Sequence, residues 1–519
     1  MSVFGIDLGT CYSCVAICDD SGHIEVKTPL GQTEPTVPSV VSYNEEGTPF
    51  VGNAAKNRLS SKDESSIDEV KREMNQEYCN KELKIGGLRR KVSPAEISAC
   101  VLRHLFYNAN KVVVNQDRQP MVKKAVITIP AMYNDTQREK TKLAAEKAGI
   151  EVIGLLQEPT AAAISYNIKH GETILVFDLG GGTLDVSIVK NELGTLEVLG
   201  VPAGDLKLGG KDWDAALANE VVKSVGKDPN SIDHNKREWA KLMDTAERMK
   251  KLLSVDTEIE FEITLPGVYE YVPISRSKFE TIATPLVKRA LNVVDNAIKN
   301  AGNPAIDRFV LVGGSSRMPM IKRALEQKYS QKYSKNRKTD DWLVLSNPDL
   351  AIAMGAARYA GILSGTLRGM YSIIDKATHS YGFRCCKADV KDREELIVVN
   401  SIFSSDPMII SDRPFSLATR YDNSSYVSLT IIENASNEEE FNYSDEPVLV
   451  SENLSLPPNT PKGTSINMMI NRDMNGIIHI DAECNGSRIE FKTKKKNEVS
   501  YSIIRDIENS IKKMELEEK

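Results

Sequence analysis

The 519-residue sequence has no stretch that approaches the ~18 uncharged apolar residues of a membrane span, so no spanning helix is expected. It has no excess of positive charge. Its 66 Lys and Arg stand against 72 Asp and Glu, a formal net charge of -6, which gives no case for a nucleic-acid or membrane partner. Met1–Phe4 lacks a basic region followed by a long apolar run, so no secretory leader is expected. The closing "MELEEK" carries no retention or lipidation signal. Eight cysteines are spread thinly, the pattern of reduced thiols, and these absences together predict a cytoplasmic location.

The one C-x-x-C, Cys11 to Cys14 in "CYSCVAICDD", has no second pair and no paired His anywhere, so the four ligands of a zinc site are missing. The segment reads as a strand that enters a hairpin at Asp19–Gly22. On a strand, Cys11 and Cys14 point to opposite faces, whereas a thioredoxin-like pair would open a helix. The three cysteines of this segment are expected to act as small hydrophobes.

What is present begins with length: the chain is too long for one core, and about three to four domains are expected. An internal repeat then appears. "VFGIDLGTCYSCVAI" (Val3–Ile17) matches "ILVFDLGGGTLDVSIV" (Ile174–Val189): an apolar strand, an Asp, a Gly-containing turn with a Thr, and a second strand. Such duplication predicts two similar lobes facing each other. A third glycine turn, "FVLVGGSSRMP" (Phe309–Pro319), follows another apolar run, with Pro319 in the first turn of a helix through Ile321–Tyr329. Glycine lets successive N–H groups converge on phosphate oxygens. Asp7 and Asp178, at matching places in the two copies, would be hard oxygen donors for Mg²⁺ through water. Thr136 and Glu139 have capping-box spacing for a helix that runs through Ala148 and stops at Gly149.

These turns, with "AVITIPAMYNDTQREKTKLAAEKAGI" (Ala125–Ile150), "LLQEPTAAAISY" (Leu155–Tyr166) and "NPDLAIAMGAA" (Asn347–Ala357), resemble the 70-kilodalton heat-shock chaperones of the actin-like ATPase superfamily. The resemblance runs strongly from Val3 to about Leu363. Sugar kinases share the two Asp turns but not "EPTAAA" or "GGSSRMP" in these flanks. The resemblance implies an α/β two-lobed ATPase domain with a duplicated ribonuclease-H-like fold, binding ATP or ADP with Mg²⁺ and K⁺ and hydrolysing ATP slowly.

Residue by residue, the resemblance places Asp7, Gly9, Thr10, Cys11 and Tyr12 at the nucleotide from one side, with Gly180, Gly181, Gly182, Thr183, Gly209 and Gly210 from the other. Lys71 matches a lysine beside the γ-phosphate. Glu158, with Asp178 and Thr183, would orient the attacking water and the metal, and Asp185 with Asp7 would bind the monovalent cation. Glu247, Lys250, Lys251 and Ser254 of "ERMKKLLS" would hold the adenosine, completed by Gly313, Gly314, Ser315, Arg317 and Asp349. This suits phosphoryl transfer, which is mostly positioning and charge stabilisation. Taken alone, Lys71 would read as a solvated lysine and Glu247 with Lys251 as a surface pair worth about 0.3–0.5 kcal/mol. Two positions depart from the family. Cys11 replaces a hydroxyl residue and weakens a phosphate contact. Lys251 replaces an arginine and cannot stack on a base as a guanidinium plane does.

Beyond Leu363 the texture changes. Residues 366–379 read as a linker with its apolar part at Met370–Ile374, closing an ATPase domain over 1–365. From about 380 to 495, alternating runs such as "EELIVVN", "YVSLTIIEN", "TSINMMINR" and "GIIHIDAEC" predict an antiparallel β-sandwich, with a hairpin turn at Asn475–Gly476. In residues 496–519, Ile503, Ile504, Ile507 and Ile511 form an apolar stripe on a short C-terminal helix, read as the remnant or start of a lid or, more plainly, as a helix expected to pack on the sandwich. The family continues into a longer helical lid, so the resemblance implies faster release of captured peptide. It also implies unfolded polypeptide clients, a J-domain co-chaperone and a nucleotide exchange factor. Two function classes stay open: an ATP-dependent chaperone for apolar segments of unfolded chains, or a nucleotide-binding co-chaperone or exchange-factor-like protein with weak or no peptide binding. A small-molecule kinase would leave the β-domain unexplained.

Overall fold

The computed structural model describes residues 2–518 apart from 62, 119, 233–236, 266, 334–341, 346, 369–371, 375–378, 388–395, 405, 408–409, 435, 474–476 and 494–499. The repeat seen in the sequence is a repeat of topology. In the first lobe the strands run in the order Glu151–Gln157, Lys124–Ile129, Val3–Asp7, Tyr12–Cys18, Ile24–Lys27. In the second they run Leu343–Leu345, Arg308–Val312, Thr173–Leu179, Leu184–Glu192, Thr195–Asp205. Each Asp-bearing strand pairs parallel with one neighbour and antiparallel with the other, in the same order in both lobes. The Ala-rich helices Glu158–Ser165 and Ala351–Leu363 pack between the lobes in a core that also holds Val3, Ala16, Val176 and Val310. Small side chains let these elements approach closely and keep the two Asp turns face to face.

Cys14 and Cys18 are 1 % and 0 % exposed in the strand Tyr12–Cys18, which is the core role expected of them, while Cys11 precedes the strand. The helix Asp135–Lys147 corrects one reading. Its capping box is Asn134 with Gln137, each side chain bonding the other's backbone N–H at 3.0 Å, not Thr136 with Glu139. Asn caps at least as well as Thr, and the helix begins two residues earlier than Thr136 as a cap would place it. The helix Pro319–Tyr333 does start at Pro319.

The four alternating runs are strands Leu396–Ile402, Tyr426–Asn434, Ser465–Arg472 and Ile478–Cys484. They belong to a five-stranded and a four-stranded antiparallel sheet with a core of their own around Tyr381, Phe383, Leu429, Ile470 and Ile480. The expected turn at Asn475–Gly476 and the Met370–Tyr371 part of the linker lie outside the described residues. Linker residues Ser372–Ile374 form an edge strand, parallel to Thr195–Glu197 of the second lobe.

The C-terminal helix Tyr501–Glu517 does not pack on the sandwich as expected. It lies on helix Pro94–Asn115 of the first lobe, and Ile503, Ile507, Ile511 and Met514 complete the hydrophobic core there. Polar contacts specify this seat. Ser510 Oγ donates to the buried Glu96 carboxylate at 2.7 Å, Tyr107 OH donates to the Glu518 carbonyl at 2.8 Å, and Arg103 pairs with Glu518. Glu96, fully buried, also takes Arg90 and the Tyr43 hydroxyl, so the helix end of this network is satisfied from both elements.

Candidate functional site

A cleft of about 760 Å³ opens between the lobes. Asp7, Gly9, Thr10, Cys11, Tyr12, Lys71 and Glu158 line it from the first lobe, and Asp178 with Gly180–Thr183 from the second. Glu247, Lys250, Lys251, Ser254, Gly313, Gly314, Ser315, Arg317 and Asp349 line its far end. Three sequence candidates stand behind the surface: Asp185 is buried, and Gly209 and Gly210 brace the second glycine turn. A Cβ on Gly209 would stand 2.4 Å from Gly182, so only glycine fits there. The N–H groups of Gly210 and Lys211 donate to the Gly180 and Gly181 carbonyls at 3.0 and 2.9 Å, which tethers the turn to the start of helix Gly210–Ser224.

The two Asp turns are built alike in a detail the sequence does not reveal. The N–H of the leading glycine bonds within its own turn: Gly9 to Ser13 Oγ at 3.1 Å, and Gly180 to the Thr183 carbonyl at 3.0 Å. Ser39 Oγ also holds the Gly9 carbonyl, at 2.8 Å. In each copy, then, the leading glycine shapes the turn and the following residues face the cleft. Cys11 lies against Gly181 of the opposite turn, where a Cβ would come within 2.5 Å of its Sγ. Burial pushes its thiol up to about 11, so it meets the cleft as a neutral thiol.

At the junction of the lobes four carboxyl groups, Asp7, Glu158, Asp178 and Asp185, share one buried ammonium, Lys71. Lys71 is 8 % exposed and donates to Glu158 and to the Leu8 carbonyl. The solvated alternative for this lysine does not hold. Burial works against its charge, but Glu158, Asp7 and Asp185 raise its pKa and keep it an ammonium. Burial and the Glu158 charge raise Asp7 and Asp185 to about 7 each. Burial, then Glu158, Asp185 and Asp7, lifts Asp178 well above the usual carboxylate range. Thr128 Oγ1 donates to Asp7 Oδ1 at 2.9 Å, and Tyr133 OH donates to the Lys71 carbonyl at 3.1 Å.

Without a further cation such an acid excess holds protons that it would otherwise release, because unpaired buried carboxylates pay heavily for lost hydration. The donor set is all oxygen, which fits hard cations rather than zinc or copper. Among the described residues no three acidic or imidazole groups converge closely enough to ligate an ion directly. That geometry fits an ion held through its own water shell.

At the far end, Glu247 ties the lobes together. Its carboxylate accepts from Tyr12 OH at 2.9 Å and from Lys56 at 2.7 Å, both in the first lobe, and from its own-helix neighbour Lys251 at 2.8 Å. Burial opposes the charge, but Lys56 and Lys251 hold this carboxyl far below the ordinary range. Lys250 is instead paired with the buried Asp214 at 2.8 Å and donates to the Gly210 carbonyl. Arg317 forms a two-nitrogen contact with Asp349 at 3.0 and 2.7 Å. Sequence reasoning missed Lys56, Thr128 and Tyr133. Nothing in "NAAKNRLS" or "AVITIPAMY" distinguishes them, since their roles come from the fold alone.

The model of the Hsp70 protein family matches residues 3–519. The chain is 32% identical over 538 aligned residues to the chaperone protein DnaK of Mycoplasmoides gallisepticum (strain R(low / passage 15 / clone 2)), covering 99% of this chain and 82% of that one.

Proposed function

The chain belongs to the Hsp70 family, and from that premise we propose how its cleft and its sandwich divide the work of an ATP-dependent chaperone that hydrolyses ATP. Nucleotide occupies the cleft, and the clients are unfolded polypeptides. We assign the ATPase domain to residues 1–365, the linker to 366–379, the peptide-binding sandwich to 380–495 and the terminal helix to 496–519.

Thr10, Cys11 and Gly181–Thr183 face the phosphates, while Glu247, Lys251, Ser254 and Arg317 surround the adenosine. Asp7 and Asp178 would hold Mg²⁺ through water, and Asp185 with Asp7 would hold K⁺; these ions would supply charge neutralisation on the phosphates. Lys71 presents its ammonium to the γ-phosphate, where negative charge must be stabilised as the bond breaks. Glu158, fixed by Lys71, orients the attacking water together with Asp178 and Thr183. The linker strand on the second lobe and the terminal helix on the first attach the rest of the chain to both lobes. A change in lobe angle on hydrolysis therefore reaches the sandwich, and peptide and nucleotide affinities become reciprocally coupled. The chaperone works in the cytoplasm with a J-domain co-chaperone and an exchange factor.

The observation that carries this reading is Lys71, a buried ammonium among four carboxyl groups at the meeting point of two phosphate turns. Lys71→Ala is expected to leave nucleotide binding within a few-fold and to abolish turnover, measured by titration with a fluorescent ADP and by phosphate release. Unchanged turnover removes the assignment.

A further inference from the structure

Lys71 sits on a single 3₁₀ turn, Val70–Glu73, so its position depends on whatever fixes that turn. The residue before the turn, Glu69, has φ 55°, a left-handed conformation that a glutamate holds only under outside restraint. Part of the restraint is local, from Arg72, and part comes from the other lobe. Lys211 Nζ, at the start of helix Gly210–Ser224, pairs with both Asp68 and Glu69. Arg72, on the turn itself, pairs with Glu69 at 2.6 Å and donates to the Gly182 carbonyl of the second glycine turn. Lys211 is thus attached twice: its backbone N–H holds the Gly181 carbonyl at 2.9 Å, and its ammonium holds the turn that carries Lys71. It does not line the cleft.

We propose that Lys211 is a positioning residue for ATP hydrolysis: it registers the Lys71 turn of one lobe against the phosphate-facing glycine turn of the other. The inference rests on the role given to Lys71 above. When the lobes separate, Asp68 and Glu69 leave the Lys211 ammonium, the turn keeps only its own Arg72–Glu69 pair, and Lys71 is no longer registered at its hydrolytic position. Hydrolysis is thereby confined to the closed cleft without Lys211 touching nucleotide. Misplacement of a catalytic group by about 1 Å costs on the order of a hundredfold in rate. The link is partly solvated, so a loss of about tenfold is expected on removing it.

The test is steady-state ATP hydrolysis by the full chain carrying Lys211→Ala, Lys211→Arg or Lys211→Glu, at low and high salt, beside Lys71→Ala. Lys211→Ala should lower kcat about tenfold with KM for ATP within about twofold, since positioning acts after binding. Lys211→Arg, which keeps the charge and the reach, should recover most of the rate. Lys211→Glu should fall below the alanine variant, because it sets a third carboxylate against Asp68 and Glu69. High salt should slow the wild type and leave Lys211→Ala unaffected, as screening removes only a link that exists. Wild-type kcat in Lys211→Ala overturns the proposal, as does a matching rise in KM or failure of Lys211→Arg to rescue a folded protein. Full activity in Lys71→Ala would instead overturn the reading on which it rests, so the two failures are distinguishable.

Discussion

Lys56→Met tests whether the cleft is held shut from its adenosine end. Lys56 Nζ donates to Glu247 Oε2 at 2.7 Å and to Tyr12 OH at 2.7 Å, and its side chain is 26 % exposed against 18 % for Glu247. Charge-assisted hydrogen bonds contribute about 1.5–3 kcal/mol when buried, and exposed ion pairs about 0–1. This pair lies between, so about 1.5 kcal/mol of closure is expected to go, while the Tyr12–Glu247 bond remains. Each 1.4 kcal/mol is about tenfold, so ADP should leave about ten times faster from the methionine variant. Lys56 does not line the cleft, so the substitution removes no lining side chain. The assay is stopped-flow chase of a fluorescent ADP, at 0.1 and 0.5 M salt. The wild type should move toward the variant as salt rises, and the variant should hardly respond. Release within twofold of wild type at low salt would mean that the link contributes nothing to closure.

Ile507→Ala should cost about 2–5 kcal/mol of local stability, since Ile507 is fully buried between the terminal helix and the first lobe. Hydrogen exchange should show residues 501–517 opening while the sandwich strands keep their protection, and unchanged exchange would place the helix elsewhere. His104, with its ring amid Gln32 and Asn108, is lowered by burial from 6.5 to about 4, so the fold prefers it neutral. A depressed histidine contributes stability that is complete above pH 6.5 and is lost as pH falls toward 4, a span worth about 3 kcal/mol. Urea midpoints at pH 7 and 4.5 should therefore converge more closely in His104→Gln than in the wild type, and equal pH sensitivity of the two proteins would exclude this histidine as a cause.

Much of the cleft is legible in the sequence because the Asp turns are local: a strand, an acid and glycines fix their own geometry, and the repeat reveals that they face each other. Sandwich strands are legible for the same reason, since period-two alternation needs no knowledge of the partner sheet. What was not legible depended on distant partners. Lys71 reads as solvated in "IDEVKREM" because Glu158, which buries its charge, is 87 residues away. The stripe Ile503–Ile511 shows that the terminal helix has an apolar face but not where it docks, as any apolar surface would satisfy the pattern. Helix Pro94–Asn115 took it because its exposed side also offered Glu96, Arg103 and Tyr107 to Ser510 and Glu518. Gly209 and Gly210 stand behind the cleft surface, where their backbone braces the glycine turn Gly180–Gly182, a contact between segments some thirty residues apart that the sequence does not display.

Whether the cleft and the sandwich act on each other shows most plainly in ATP turnover with and without peptide. With a short apolar peptide at saturating concentration, the full chain should hydrolyse ATP several-fold faster, and ATP should in turn weaken peptide binding, because coupling between the two ligands is reciprocal. ATP binding and hydrolysis with no response to peptide, and no peptide bound in either nucleotide state, would contradict it.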